Sequence, residues 1–241
     1  MQVKTTGIIL HQVKYTDSSS IVIIYTREFG RISYMVRGAN KKRSTCRAAL
    51  LQPLSVVEIE ADHNAKKALQ SIREMRIAVP FYDIPFNPVK NALALFMAEV
   101  LHKTLRHTEN DESLYDFIEE SVCELDKCKM GLGNFHLIFM VQLSHHLGFA
   151  PSTENAEQAI CFDLLNGTFE KQFPQHVHFL LPELTDFFRM LLTLDFDCSD
   201  SLRLNHRQRS ELLNSLVEYY RLHLTDFHSI TSISVLHKLW E

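Results

Sequence analysis

The chain of 241 residues is 46% hydrophobic and 22% charged, with only seven Gly and seven Pro, a balance that excludes linker and disordered protein and leaves room for two modest domains. Its net charge of -4 hides a split: residues 1–80 carry 13 Lys and Arg against 6 Asp and Glu, a net +7, and the rest carry 12 against 23, a net -11. Five scattered cysteines (Cys46, Cys123, Cys128, Cys161, Cys198), no apolar leader in MQVKTTGIIL and no run near the roughly 18 apolar residues of a membrane span argue against a disulfide-stapled, secreted or membrane protein, and predict a cytoplasmic one.

Residues 1–80 read as a β domain, because apolar and β-branched runs of strand length recur between turn signals at 7–13, 20–26, 31–37, 54–60 and 69–77. Five such strands suit a small closed barrel, for which the OB-fold is the common architecture. Glu28-Phe29-Gly30 makes a tight connection, Gly30 supplying the positive φ, so the second and third strands should form a hairpin.

Residues 81–241 change to a helical period. Asn87-Pro88 is an N-cap with proline in the first turn, followed by a stripe through Val89, Leu93, Phe96, Val100 and Leu101. A second helix starts at the cap Asp111 and places Leu114, Phe117, Ile118, Val122 and Leu125 on one face. The third, expected to be capped by Asn134 and ended by Gly148, is apolar nearly all round and should be the central helix. A β-hairpin turned by Asn166-Gly167 is predicted between 160–165 and 168–173, then helices near 182–194 and 207–224 and a closing segment at 230–240. The fold class is α+β: a five-stranded OB-fold barrel at residues 1–80, then a mainly α-helical domain at 81–241 with a small β-hairpin.

The sharpest functional feature is Arg37-Gly38-Ala39-Asn40-Lys41-Lys42-Arg43-Ser44, a strand running into a loop rich in cations. In the preceding strand Ile32, Tyr34 and Val36 point one way and Arg31, Ser33, Met35 and Arg37 the other. Arg31, Arg37, Lys41, Lys42, Arg43 and Arg47 are therefore expected to share one positive surface, suited to the phosphates of single-stranded nucleic acid. The plainer alternative is a solvated basic loop. Lys66, Lys67, Arg73 and Arg76 are secondary candidates. Tyr25, Phe29 and Tyr34 are the available base-stacking rings and read more readily as core. Cys123-x4-Cys128 has no second pair, and Asp195, Asp197 and Asp200 lack the glycine and glutamate of a calcium loop, so no metal or other cofactor is expected. No G-x-S-x-G, P-loop, G-x-G-x-x-G or H-E-x-x-H is present, and no enzymatic activity is expected.

The chain resembles the RecO family through an ordered set of short matches. They are Gly7-Ile8-Ile9-Leu10, Tyr25-Thr26, Phe29-Gly30-Arg31, Arg37-Gly38-Ala39 with the basic loop, and Leu51-Gln52-Pro53-Leu54. They continue with Ala98-Glu99-Val100-Leu101, His146-Leu147-Gly148-Phe149 and residues 233–239. The resemblance implies an N-terminal OB-fold, a helical C-terminal domain, and a DNA repair and recombination mediator that binds single- and double-stranded DNA and anneals strands. It also implies engagement of the C-terminal tail of single-stranded-DNA-binding protein, loading of RecA with RecR, and a place at the nucleoid. Arg37, Lys41, Lys42 and Arg43 match the family's basic DNA-contacting loop. Many members carry a four-cysteine zinc module; near 151–175 this chain keeps only Cys161, so the region is degenerate and zinc is expected to be absent.

An acidic tail ending in an apolar residue needs an apolar pocket rimmed by cations. Arg203, His206, Arg207 and Arg209 stand at the start of the last long helix, whose Leu212, Leu213 and Leu216 are expected to line such a pocket. A solvated helix start with a leucine core face is the alternative. The rival reading for the whole chain is a protein-protein adaptor whose basic head binds an acidic partner and no nucleic acid.

Overall fold

The computed structural model describes residues 1–37, 50–64, 66–106, 110–198 and 201–240. Strands β1 (Gln2–Thr16), β2 (Ser19–Thr26), β3 (Gly30–Arg37), β4 (Val56–Asp62) and β5 (Leu69–Val79) close into a barrel in the order β1-β2-β3-β5-β4. Every pairing is antiparallel except β3 with β5, whose short parallel ladder runs from Ser33–Leu69 to Met35–Ser71. The expected five-stranded barrel is present, and β1 is much longer than alternation alone indicated. Its first half pairs with β4 (Gln2 with Asp62 through Ile8 with Val56) and its second half with β2 (Gly7 with Thr26 through Thr16 with Ser19). The strand changes partner at Gly7, where a Cβ would stand 2.5 Å from the Ile24 side chain, so glycine permits the close approach that closure needs. The β2–β3 turn is built as expected: Gly30 has φ 62°, and the Thr26 hydroxyl donates to the Gly30 carbonyl at 2.9 Å.

Inside the barrel, Val3, Ile9, Val22, Ile24, Tyr34, Val36, Val57, Ile59 and Ala61 make one apolar cluster with Leu50 and Leu51. Each such side chain contributes about 1.5–3 kcal/mol on burial. The outward face of β1 and β2 is also apolar, with Ile8, Leu10 and Tyr25 nearly inaccessible. Helices α1 (Pro88–Thr104) and α2 (Glu112–Lys127) belong to the same compact unit, Met1–Asp126. Asn87 caps α1 by accepting from the amides of Val89 and Lys90, and Asp111 caps α2 by accepting from the Leu114 amide. Tyr25 donates its hydroxyl to the Asp111 carbonyl and stacks near Tyr115. The Asp126 carboxylate accepts the amides of Tyr82, Asp83 and Ile84 at 2.8–2.9 Å, tying the segment after β5 to the end of α2. Buried Lys90 is satisfied by Asp83 and the Asp126 carbonyl, both at 2.6 Å.

The second unit, Lys127–Glu241, is organised by α3 (Leu132–His146), which is buried around most of its circumference as its composition predicts. Its start differs from expectation. Gly131, in the left-handed region at φ 77°, occupies the cap position, and Asn134 lies inside the helix. There Asn134 is buried, donates to the Leu202 carbonyl at 2.6 Å and accepts from Arg209 Nε at 3.3 Å. An Asn near a helix start signals a cap only while its side chain has no better partner; here tertiary partners take it.

The small sheet has a third strand besides the expected hairpin. β6 (Cys161–Asp163) pairs with β7 (Thr168–Glu170) on one side and with β8 (Phe179–Leu180) on the other. Two residues are too few to carry an alternating pattern. The remaining helices are α4 (Pro182–Leu191), α5 (His206–His223) and α6 (Ile233–Trp240), with α5 started by a capping box between Asn205 and Gln208. Tyr220 of α5 donates to the Met140 carbonyl at 2.6 Å, and Phe149 meets Tyr219, Tyr220 and His223. Among the described residues no helix is long and apolar enough to cross a membrane.

Fully buried His136 of α3 has its pKa pushed down from 6.5 to about 3, first by burial and then by the nearby Arg209 and His237. The unfolded chain takes up a proton below pH 6.5 that the folded chain refuses until about pH 3, so stability falls as pH drops through that window. A series of urea melts from pH 7 to pH 4.5 should show this loss, at a limiting slope of about 1.4 kcal/mol per pH unit from this group. His136→Gln should flatten that slope, and an unchanged slope in the variant would refute the assignment.

Candidate nucleic-acid interface

The six barrel cations singled out from the sequence fall into three sets. Arg31 follows Gly30 at the start of β3 and Arg37 ends it, six residues or roughly 20 Å apart, so the two do not come together. Lys41, Lys42, Arg43 and Arg47 lie outside the described residues. The chain leaves the barrel at exposed Arg37 and is described again from Leu50, and both line one cleft of about 370 Å³ with Val36, Leu51, Ile72, Arg73, Glu74 and Met75. The basic loop is thus rooted at both ends beside a single concavity.

Elsewhere on the barrel several cations are paired with acids. Arg73 grips Asp62 through Nε and Nη2, both at 2.8 Å, and this fork holds the Asp62 carboxyl below its usual range. Lys4, at 3.2 Å, and Arg76 share Glu58. Lys14 meets Asp17 at 2.8 Å, and Arg27 bonds Asp116, lies near Glu119 and covers the Tyr115 ring. Such exposed pairs add only about 0–1 kcal/mol each to stability, but each cancels a positive charge locally. Lys66 and Lys67 are exposed, and no ion pair joins either one to an acid among the described residues. Arg31 is half-buried, and its Nη2 lies 3.2 Å from His102 Nδ1 on α1.

Of the three rings available for base stacking, Tyr25 and Tyr34 are fully buried, and Phe29 packs on the barrel core and against His63. Among the described barrel strands the exposed aromatic is Tyr15 of β1, 60% exposed. It was invisible to the sequence pattern because the alternation that marks β1 stops at Val13. Thr16 pairs with Ser19 and Ser19 with Arg37, so Tyr15 stands at the same barrel end as Arg37, about two strand spacings or roughly 10 Å away.

In the second unit, Arg203, His206 and Arg207 are exposed at the start of α5, where Arg207 Nε bonds Glu211 at 2.7 Å. Arg209 turns the other way. Its Nη2 donates to the Leu204 carbonyl at 3.0 Å and its Nε to Asn134, with its guanidinium packed over Gly133. Leu212, Leu213 and Leu216 are buried.

In the small sheet Cys161 is buried, with its thiol directed to the carbonyls of Glu170 and Gln172, and its pKa is raised by burial. Among the described residues no group of three His, Cys, Asp or Glu is placed to hold a metal. The β6–β7 turn is held instead by buried Asp163, which accepts the amides of Leu165 (2.8 Å) and Asn166 (3.1 Å) and the Asn166 side-chain amide (2.8 Å), with His176 Nε2 at 3.1 Å.

Arg209→Ala should therefore cost about 1–3 kcal/mol in a urea melt, since it leaves the buried Asn134 oxygen and Leu204 carbonyl without their donor. Arg207→Ala, which breaks an exposed i,i+4 pair, should cost no more than about 0.5 kcal/mol. Equal losses would refute the distinction.

The family model described as Recombination protein O N terminal matches residues 1–81, and that described as Recombination protein O C terminal matches residues 85–229. The chain is 37% identical over 237 residues to the DNA repair protein RecO of Phocaeicola vulgatus, covering 98% of each. It is 37% identical over 239 residues to that of Bacteroides fragilis, covering 99% of each, and 35% identical over 242 residues to that of Flavobacterium psychrophilum, covering all of both. With a closed five-stranded barrel, a helical remainder and likeness along the whole length, the chain belongs to the RecO family of DNA repair proteins.

Proposed function

We propose that this chain is a non-enzymatic recombination mediator that binds single- and double-stranded DNA at the open end of its barrel and anneals complementary strands. The observation that carries this reading is the sorting of charge. Lys4 of β1 and Arg73 and Arg76 of β5 are neutralised by Glu58 and Asp62 of β4, whereas the loop containing Lys41, Lys42, Arg43 and Arg47 is rooted at Arg37 and Leu50 beside one cleft. Phosphates of two strands held there repel each other less, and pairing proceeds without any covalent step. Exposed Tyr15 at the same end offers a face for an unpaired base. The helical part tethers the chain to coated single strands by docking the C-terminal tail of single-stranded-DNA-binding protein near Arg203, His206 and Arg207, and acts with RecR to load RecA in the cytoplasm at the nucleoid.

Anisotropy titrations of labelled single-stranded DNA over a salt series test this reading. Changing Arg37, Lys41, Lys42 and Arg43 together to Ala should lower the log-log salt slope by about 3, at roughly 0.7 per lost phosphate contact. An unchanged slope means that another surface is used. Acidic protein that binds while an oligonucleotide neither binds nor competes would instead favour an adaptor.

Tyr15→Ala should weaken single-stranded DNA by about 1–3 kcal/mol while leaving duplex affinity unchanged, because stacked duplex bases present no free face. Equal loss on both substrates would place Tyr15 outside the contact.

A further inference from the structure

The seam between β1, β3 and the end of α1, wholly within the first unit, gathers cations that the barrel end does not use. His11 of β1 and His102 of α1 stack with centroids 4.5 Å apart and planes at 23°. Arg31 of β3 donates from Nη2 to His102 Nδ1, so the proton of the neutral ring sits on Nε2, a second donor. Arg106, exposed just past α1, lies close enough to Arg31 to push its pKa down, after burial. Glu99, which acts on His11, is bonded to Lys103 at 3.1 Å. Among the described residues no carboxylate pairs with Arg31 or with Arg106.

Half-burying a guanidinium beside a second one, with a neutral imidazole accepting from it, is unfavourable unless an anion joins it in the working state. The helix macrodipole explains basic residues in the last turn of α1, here His102 and Lys103. It does not explain Arg31, which comes from the barrel. Burial first, then His11, Arg31, Arg106 and Lys103, depress His102 to about 4, so its ring contributes an N–H donor and no charge near neutral pH, and burial lowers His11 as well.

We propose that Arg31 and Arg106, with the stacked His11 and His102, form a second phosphate-binding site that holds a backbone phosphate of the DNA engaged at the barrel end. Two guanidinium forks match phosphate oxygens, and Arg31 lies one β3 length, roughly 20 Å, from Arg37. A strand gripped at both places runs along the barrel wall instead of crossing its mouth alone. This inference rests on the DNA-binding reading above.

The test uses the full chain and a fluorescent oligothymidylate in anisotropy salt titrations. Arg106→Gln should lower the salt slope by about 0.7 and the Arg31→Gln/Arg106→Gln pair by about 1.4. Both losses should add to that of the Arg37, Lys41, Lys42 and Arg43 variant. Arg106 is exposed, so its single variant should melt as the wild type does and keeps the test valid if Arg31→Gln folds poorly. Wild-type slopes in Arg106→Gln and in the double variant, with a reduced slope in the loop variant, overturn the seam and leave the DNA reading standing. Wild-type protein that binds no oligonucleotide at any salt overturns the DNA reading and the seam with it. Polyglutamate that binds wild type but not Arg106→Gln, with oligonucleotide affinity equal in the two, also overturns the seam as a phosphate site.

Discussion

β1 has to serve two partners in succession, and both candidate surfaces follow from how it does so. Pairing first with β4 and then, past Gly7, with β2, it closes the barrel and carries its far end beyond the core. The part beyond the core delivers Tyr15 to the end where β3 finishes at Arg37. The part alongside α1 delivers His11 to His102 and so to Arg31. Because successive strand residues face opposite ways, a one-residue slip would send His11 inward and bring apolar neighbours out, so barrel register and seam geometry are one constraint.

Charge is distributed by the same framework. Glu58 and Asp62 lie on β4 between the cations of β1 and those of β5, so the basic excess of residues 1–80 is cancelled on that wall by short cross-strand pairs. Arg27 is likewise taken by Asp116 and Glu119 of α2. Positive charge free to attract a polyanion must come from elsewhere, and among the described residues no acid pairs with Arg31, Arg106, Lys66 or Lys67. Composition reports the total charge of a domain; strand neighbours decide how much of it a ligand meets.

Much of the architecture could be read from local pattern. Turn chemistry at Gly30 and Gly167, the caps Asn87 and Asp111, and the all-round apolar character of α3 each act over a few residues, and all of them appear in the structure. Asn134 misled because its partners, Leu202 and Arg209, are about 70 residues away along the chain. Arg209 looked like a surface cation for the same reason. Tyr15 and Arg106 have no sequence signature, because exposure of an aromatic, or proximity of one arginine to another across a barrel–helix seam, leaves no periodic trace.

The turn beside Cys161 shows how a fold fixes a turn without a metal. A metal site fixes a turn by drawing several ligands to one centre. In this chain Asp163 accepts from Leu165, from both nitrogens of Asn166 and from His176, so a single buried carboxylate converges four groups on the β6–β7 turn. Beside it, Phe162 packs against Phe169 and Phe188, with Tyr219 beyond, so the apolar side of the sheet needs no metal to be covered. Hydrogen bonds to a charged acceptor are worth about 1.5–3 kcal/mol each, and several on one carboxylate approach what a small cross-link supplies. This sheet is therefore held together as long as Asp163, Asn166 and His176 remain together.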